Sequence, residues 1–253
     1  MRFPTTIPLL DEMLGGGLET GSSTIVWCSP FTDGTPLIYQ LCASWLSREL
    51  PVLYLINTKR PDIVLEDAYR YGWGLPQYRE KGLLCFIDAY SGAIGAESRE
   101  RYVVGDPTDR DQLVEVVSHA LKDFRGRNCL FVVDSLSTLI DQLGEFAVNL
   151  LPEWNRSMVL YDLVGIYLFT EWDYDQKLKE RLSDLCDNLV SIMPVERHVA
   201  ISDVFTVKKT YGKPVEGQLI PFRYVRPGGM RIYVPKILVT GPYNAGKTTV
   251  VHA

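Results

Sequence analysis

No apolar run in these 253 residues approaches the roughly 18 that a helix needs to cross a bilayer, and the N-terminus carries no signal-peptide core. The sequence predicts a cytoplasmic protein. It also lacks a basic excess. A formal net charge of −5 gives no general attraction to nucleic acid or to anionic membranes, and no stretch interleaves basic with aromatic residues. Nucleic acid and membrane are therefore set aside as partners. The five cysteines (Cys28, Cys42, Cys85, Cys129, Cys186) are odd in number, well spread and set in apolar runs. They show no metal-ligand spacing and read as small core residues in a reducing compartment. Internal repeats and low-complexity tracts are absent. What remains is an ordinary globular composition, 46% hydrophobic and 23% charged, of a length that suits one large α/β domain or one domain with a small appendage.

The apolar pattern gives the order of parts. Leu9, Leu10, Met13 and Leu14 form a short helical face that stops at Gly15-Gly16-Gly17, where glycine takes positive φ cheaply. Strand Thr24–Trp27 follows, then a helix whose rows Leu37/Leu41/Trp45 and Ile38/Cys42/Leu46 predict a wide buried face. Val52–Ile56, Leu83–Ile87, Cys129–Val133 and Leu163–Phe169 are apolar without alternation, as strands covered on both faces are. Helices are predicted from Pro61 to Tyr71, along Val114/Val117/Leu121/Phe124, and along Leu178/Leu182/Leu185; residues 91–107 read as a surface loop. After Asp187 the pattern changes to strands without helices: Leu189–Met193, His198–Val207, Gln218–Val225 and Met230–Val234. The expectation is a mostly parallel sheet with helices on both faces and an antiparallel C-terminal extension.

Two stretches carry chemistry. The first, Thr24–Gln40, has the strand, turn and helix of a phosphate-binding loop, a geometry that aims backbone N–H groups at an anion. A working loop reads G-x-x-x-x-G-K-[ST]. Here Cys28, Asp33 and Gly34 stand where that spacing wants Gly, Gly and Lys, and only Thr35 matches. A charge is deleted and an opposing one added. Two like charges about 4 Å apart in a partly exposed site repel by roughly 4 kcal/mol. Asp33 has two readings: an internal anion capping its own helix, with Pro36 in the first turn, or a carboxylate in solvent. The second stretch is an intact motif, Gly241-Pro-Tyr-Asn-Ala-Gly-Lys-Thr248, after the apolar run that starts at Pro235 and before Thr249–His252. Gly241, Asn244, Ala245, Gly246 and Thr249 frame the phosphates there, Lys247 meets the outer ones and Thr248 holds Mg²⁺. The rival is a Gly-rich turn and tail without ligand.

IPLLDEMLGGGLETGSSTIV, VLYLINTKRPDIVLEDAYRYGW, GLLCFIDAYS and LFVVDSLSTLI together resemble the RecA-fold ATPases of the KaiC and archaeal RadA-like group, over most of residues 5–234. The resemblance implies a RecA-like P-loop NTPase fold and self-association as rings or dimers. It makes Asp134 the Mg²⁺-side carboxylate of the Walker B strand, followed by Ser135. It also implies that VKKTYGKP, with Lys208 and Lys209, lies where family members reach a neighbouring subunit's nucleotide. In the family a phosphate-loop lysine and a catalytic glutamate pair complete the site; Gly34 and Thr58-Lys59 occupy those places here. At Asp134 metal binding stands against a hydrogen bond to nearby backbone, and for the lysines a solvated strand end is the other reading. KILVTGPYNAGKTTVV resembles the opening of a small Ras-like GTPase, matching its first strand and loop only.

The sequence thus predicts two parts, a RecA/KaiC-like domain over 1–234 with a degenerate loop, and over 235–253 the start of a GTPase domain cut short at Ala253. The expected function is a non-hydrolysing regulatory or assembly module with a protein partner. Mg²⁺ with GTP or ATP is expected at 241–248, and no cofactor at the degenerate loop. The rivals are an active nucleoside triphosphatase and a recombination-type DNA-binding module.

Overall fold

The computed structural model describes residues 1–197 and 200–232. In chain order the elements are β1 (Arg2–Phe3), α1 (Pro8–Met13), β2 (Leu18–Glu19), β3 (Ser23–Cys28), α2 (Thr35–Leu46), β4 (Val52–Ile56), α3 (Pro61–Arg70), α4 (Pro76–Glu80), β5 (Leu84–Asp88), β6 (Tyr102–Val103), α5 (Arg110–Asp123), β7 (Leu130–Asp134), α6 (Leu136–Leu143), α7 (Glu145–Tyr161), β8 (Val164–Thr170), α8 (Gln176–Leu185), β9 (Asn188–Arg197), β10 (Ala200–Thr210), β11 (Lys213–Pro214), β12 (Ile220–Val225) and β13 (Gly229–Ile232). Among the described residues, eleven strands form one sheet in the order β13-β12-β10-β9-β3-β8-β7-β4-β5-β6, with β11 on β10. From β9 through β3 to β6 all pairs are parallel. The β9–β10, β10–β12 and β12–β13 pairs are antiparallel. This is the expected α/β architecture, including its antiparallel C-terminal strands.

Every residue of β3, β4 and β7 is buried, because helices cover both faces of the central sheet. On one face α2 and α3 bring Leu37, Leu41, Trp45, Val64 and Leu65 against Val26, Tyr54 and Val132. On the other, α5–α8 bring Leu113, Val117, Leu139, Trp154 and Leu182 against Ile25, Leu53, Phe131 and Tyr167. Caps set several helix starts: Asp109 accepts from the amides of Asp111 and Gln112, and Asp175 from that of Leu178. At the N-terminus, Gly15-Gly16-Gly17 has φ of 65°, 112° and 114°. A Cβ on Gly17 would strike the backbone of Phe3, so the β1–β2 hairpin closes only over glycine there.

Two differences from the sequence reading stand out. Residues 91–107 are more than surface loop, since Tyr102–Val103 adds an edge strand to β5. Helices α6 and α7 fill 136–161, where the sequence reading has no element. His198 and residues 233–253, including the rest of the Met230–Val234 strand and the 235–253 segment, lie outside the described residues.

Candidate functional site

Strand β3 delivers the chain to Cys28 at the carboxyl edge of the sheet, where parallel α/β folds place ligands. The loop that follows turns inward on the protein. Ser29 donates its amide to Ile192 O (2.9 Å), and Thr32 donates its amide to Ser29 O (3.0 Å). The Thr32 hydroxyl bonds the same two carbonyls. At α2, a first turn normally leaves four amides free to meet an anion. Here Thr35 donates to Asp33 Oδ1 at 2.9 Å, Pro36 has no N–H, and Leu37 and Ile38 donate to Gly34 O at 3.1 and 3.2 Å. Of the four amides such a start leaves free, those of Thr35 and Leu37 are spent and Pro36 has none, so only that of the N-cap, Gly34, is left over among the described residues. Asp33 is exposed, yet its carboxylate turns back onto its own helix and stands where an outside anion would bind.

The lysine position is closed as well. Gly34 is buried and helical in φ and ψ, so its conformation suits any residue, but its space does not. A Cβ there would collide with Cys28 Sγ and come within 2.7 Å of Leu168 Cδ1. Burial pushes the Cys28 thiol up to about 12, with Asp33 and Asp203 adding to the effect, so it stays a neutral packing group. These residues do not fit a magnesium-bound nucleoside triphosphate at this loop.

Asp134 ends β7 fully buried, and its partner is a side chain rather than the expected backbone: Tyr54 Oη donates to Oδ2 at 2.8 Å. Asn57, just past β4, clamps the next residue at two points. Its Nδ2 donates to Ser135 O (3.1 Å) and its Oδ1 accepts from Ser135 N (2.6 Å). Ser135 Oγ then caps α6 through the Thr138 amide. Among the described residues no group of three or more His, Cys, Asp or Glu gathers into a metal cluster around Asp134 or elsewhere. At the place of the family's catalytic acids, Thr58 Oγ1 is buried without a partner among the described residues, and Lys59 pairs with Asp67 at 2.9 Å.

Burial holds the Asp134 carboxyl above the usual aspartate range, against the pull of the Tyr54 hydroxyl and Lys59, with Asp33 adding to the rise. An acid whose folded pKa is raised binds its proton better folded than unfolded. Its charge therefore costs stability at neutral pH, and that cost fades as pH falls through the folded value toward 3.8. Asp134→Asn, which keeps an acceptor for Tyr54, is expected to raise the urea midpoint at pH 7 and to lose that gain near pH 4. A gain that grew on acidification would contradict the assignment.

Lys209 donates to the carbonyls of Ser183 and Asp184 at 2.8 and 3.2 Å, closing the carboxyl end of α8. It is committed within its own chain. Lys208 is exposed on a cleft with Trp27 and Glu171, where Trp27 Nε1 donates to Glu171 at 2.7 Å. That pair is 144 residues apart and has no signature in sequence. Gly241, Asn244, Ala245, Gly246, Lys247, Thr248 and Thr249 lie outside the described residues. Among the described residues, no helix is long and apolar enough to cross a membrane.

Comparison with known proteins points the same way as the fold. A UPF0273 protein of Methanopyrus kandleri is 32% identical over 139 residues, 54% of this chain and 54% of its own. A UPF0273 protein of Pyrococcus horikoshii is 32% identical over 168 residues, 66% of this chain and 67% of its own. The chain thus spans about half of the first relative's length and two thirds of the second's. A solved KaiC-like protein of Pyrococcus horikoshii superposes with a TM-score of 0.72 at 15% identity, over 92% of this chain and 99% of that one, which shows a shared fold. A family model described as "ATPase: KaiC" matches residues 3–237. With nearly the whole described chain inside that match, this protein belongs to the KaiC family of RecA-like domains.

Proposed function

We propose that this RecA-like domain does not hydrolyse ATP and serves as a regulatory or assembly module coupled to a P-loop GTPase. The observation that carries the first half is the closed helix start: past the N-cap Gly34, every donor in the first turn of α2 is satisfied or missing, and Gly34 has no room for lysine. Phosphoryl transfer rests on positioning and on neutralising charge around the outer phosphates. This loop offers an internal carboxylate instead. The second half is supported by KILVTGPYNAGKTTVV, where Lys247 would meet the outer phosphates and Thr248 the Mg²⁺ of GTP or ATP. A protein partner, with self-association as a ring or dimer, is the mode of action the family resemblance suggests.

The rival is an active ATPase. It is favoured by the name of the matching family model and by the survival of Asp134 at the end of β7. Hydrolysis of ATP and GTP by the wild-type chain and by Lys247→Ala separates the two. Any turnover is expected to fall to background in Lys247→Ala; ATP turnover that persists in the variant would place a working site in the RecA-like domain and end the proposal.

A further inference from the structure

Beside the closed loop, between α2, α3 and the residue after β12, lies a small cleft of about 110 Å³. Tyr39 and Tyr71 both line it, and both are buried, at 1% and 6% exposure. Each hydroxyl oxygen accepts from a cation: Tyr39 from Lys59 Nζ at 3.2 Å, Tyr71 from Arg226 Nη2 at 3.0 Å. Ammonium and guanidinium groups carry no acceptor, so neither tyrosine can return its proton to the cation that holds it. Neither O–H has another acceptor among the described residues. Two buried donors are therefore unspent, and a buried donor without a partner is costly.

The charges around the cleft are unevenly matched. Asp67 is shared between Lys59 (2.9 Å) and Arg70 (3.1 Å), and one oxygen of Asp33 is taken by the Thr35 amide. Among the described residues Arg226 has no carboxylate within ion-pair distance, and its guanidinium lies 4.7 Å over the Tyr71 ring, which is stacked in turn on Trp73 at 5.5 Å. That stack holds the Tyr71 hydroxyl and the Arg226 fork in place before any ligand arrives. Burial and the carboxylates of Asp134, Asp67 and Asp33 push the Tyr39 hydroxyl well above its ordinary value, so it remains a donor.

We propose that this cleft receives a single phosphate group, held by the hydroxyls of Tyr39 and Tyr71 and the cations of Lys59 and Arg226. The four groups are donors that converge on one space, which is what a compact oxyanion needs and an apolar or cationic ligand does not. The size limits the ligand. Sites for whole nucleotides and drug-sized molecules run to about 300 Å³ or more, and a lone phosphate asks for far less. The inference rests on the loop being closed to triphosphates, since an open loop would draw the same group onto α2.

The test is calorimetric titration of the whole chain with inorganic phosphate at low ionic strength, with phosphoserine as a parallel arm. One-to-one saturation is expected, and the tighter arm names whether the free ion or a phosphomonoester is the source. Tyr39→Phe and Arg226→Gln should each weaken it on the order of tenfold or more, as loss of a hydrogen bond to a charged group does, with melting curves near wild type. Asp33→Asn, which keeps the acceptor for the Thr35 amide while removing one of the two carboxylates that line the cleft, the other being Asp67 already paired with Lys59 and Arg70, should tighten it severalfold. No saturation in either arm, or binding indifferent to Tyr39→Phe and Arg226→Gln, would overturn the site. ATP binding that survives both of those substitutions in a chain that also carries Lys247→Ala would instead refute the closed loop, so the two failures read differently.

Discussion

Gly34→Lys is expected to lower the melting temperature by roughly 3–16 °C and to bring back no affinity for ATP at this loop, although it restores the residue that a phosphate loop is defined by. The new Cβ has no space: Cys28 Sγ and Leu168 Cδ1 already fill it. Overpacking of a well-filled core costs about 1–3 kcal/mol, and a cation at a helix N-terminus adds about 0.3–1 kcal/mol against the helix dipole. For a domain of this size, 1 kcal/mol moves the melting point by about 2–4 °C. The Leu168 methyl can swing aside, whereas Cys28 lies at the end of β3 under the turn and has one short torsion to move. Restoring all three positions, as Cys28→Gly, Asp33→Gly and Gly34→Lys together, removes the sulfur and frees the Thr35 amide. That triple variant alone is expected to gain ATP binding. Differential scanning calorimetry and a fluorescent-ATP titration on the two proteins, each also carrying Lys247→Ala to silence the 241–248 loop, check both statements. A single variant that melted like wild type and bound ATP would show that the turn opens at little cost.

That contrast marks what could be read from the chain and what could not. The missing lysine was legible, because the motif has fixed spacing and position 34 is a glycine. The filling was not, because Cys28, Leu168 and Ile192 reach the loop from three strands. Asp134 was legible as the last residue of an apolar strand. Its partner was not, since Tyr54 lies 80 residues earlier and points inward from a strand that reads only as buried. The central strands came through clearly because β4 and β7 are covered on both faces and so are apolar without interruption. Helices α6 and α7 did not. Gly144 at φ 60° separates them, Pro152 sits inside α7, and both interrupt the 3.6-residue rhythm that marks a helix. Pro152 is exposed, and its helix is held by Ala147, Val148, Leu151, Trp154 and Met158 on the core side, so packing decides against local preference there.

Asn57→Ala is expected to cost about 3 kcal/mol. Asn57 is 3% exposed and spends both ends of its amide on one residue, the amide and carbonyl of Ser135, 78 positions away. Alanine leaves both of those backbone groups buried with nothing to replace the side chain, and an unmet buried donor or acceptor costs about 1–3 kcal/mol each. The damage should spread along the chain in a defined direction. Ser135 caps α6 through Thr138, and Ser137 in the first turn of α6 accepts from the amide of Thr170 at the end of β8. Loosening Ser135 therefore loosens the carboxyl edge of β7 and β8 together, beside Asp134. Asn57→Asp is the informative partner. It keeps an acceptor for the Ser135 amide but sets a carboxylate against the Ser135 carbonyl, near a second buried acid, so it should be worse than alanine at pH 7 and improve toward pH 4. Urea unfolding at the two pH values, with amide exchange followed at Ser135 and Thr138, measures both effects. Equal stability of wild type and Asn57→Ala, or unchanged exchange at Ser135, would mean that the turn after β7 is held by its neighbours and that the clamp contributes nothing.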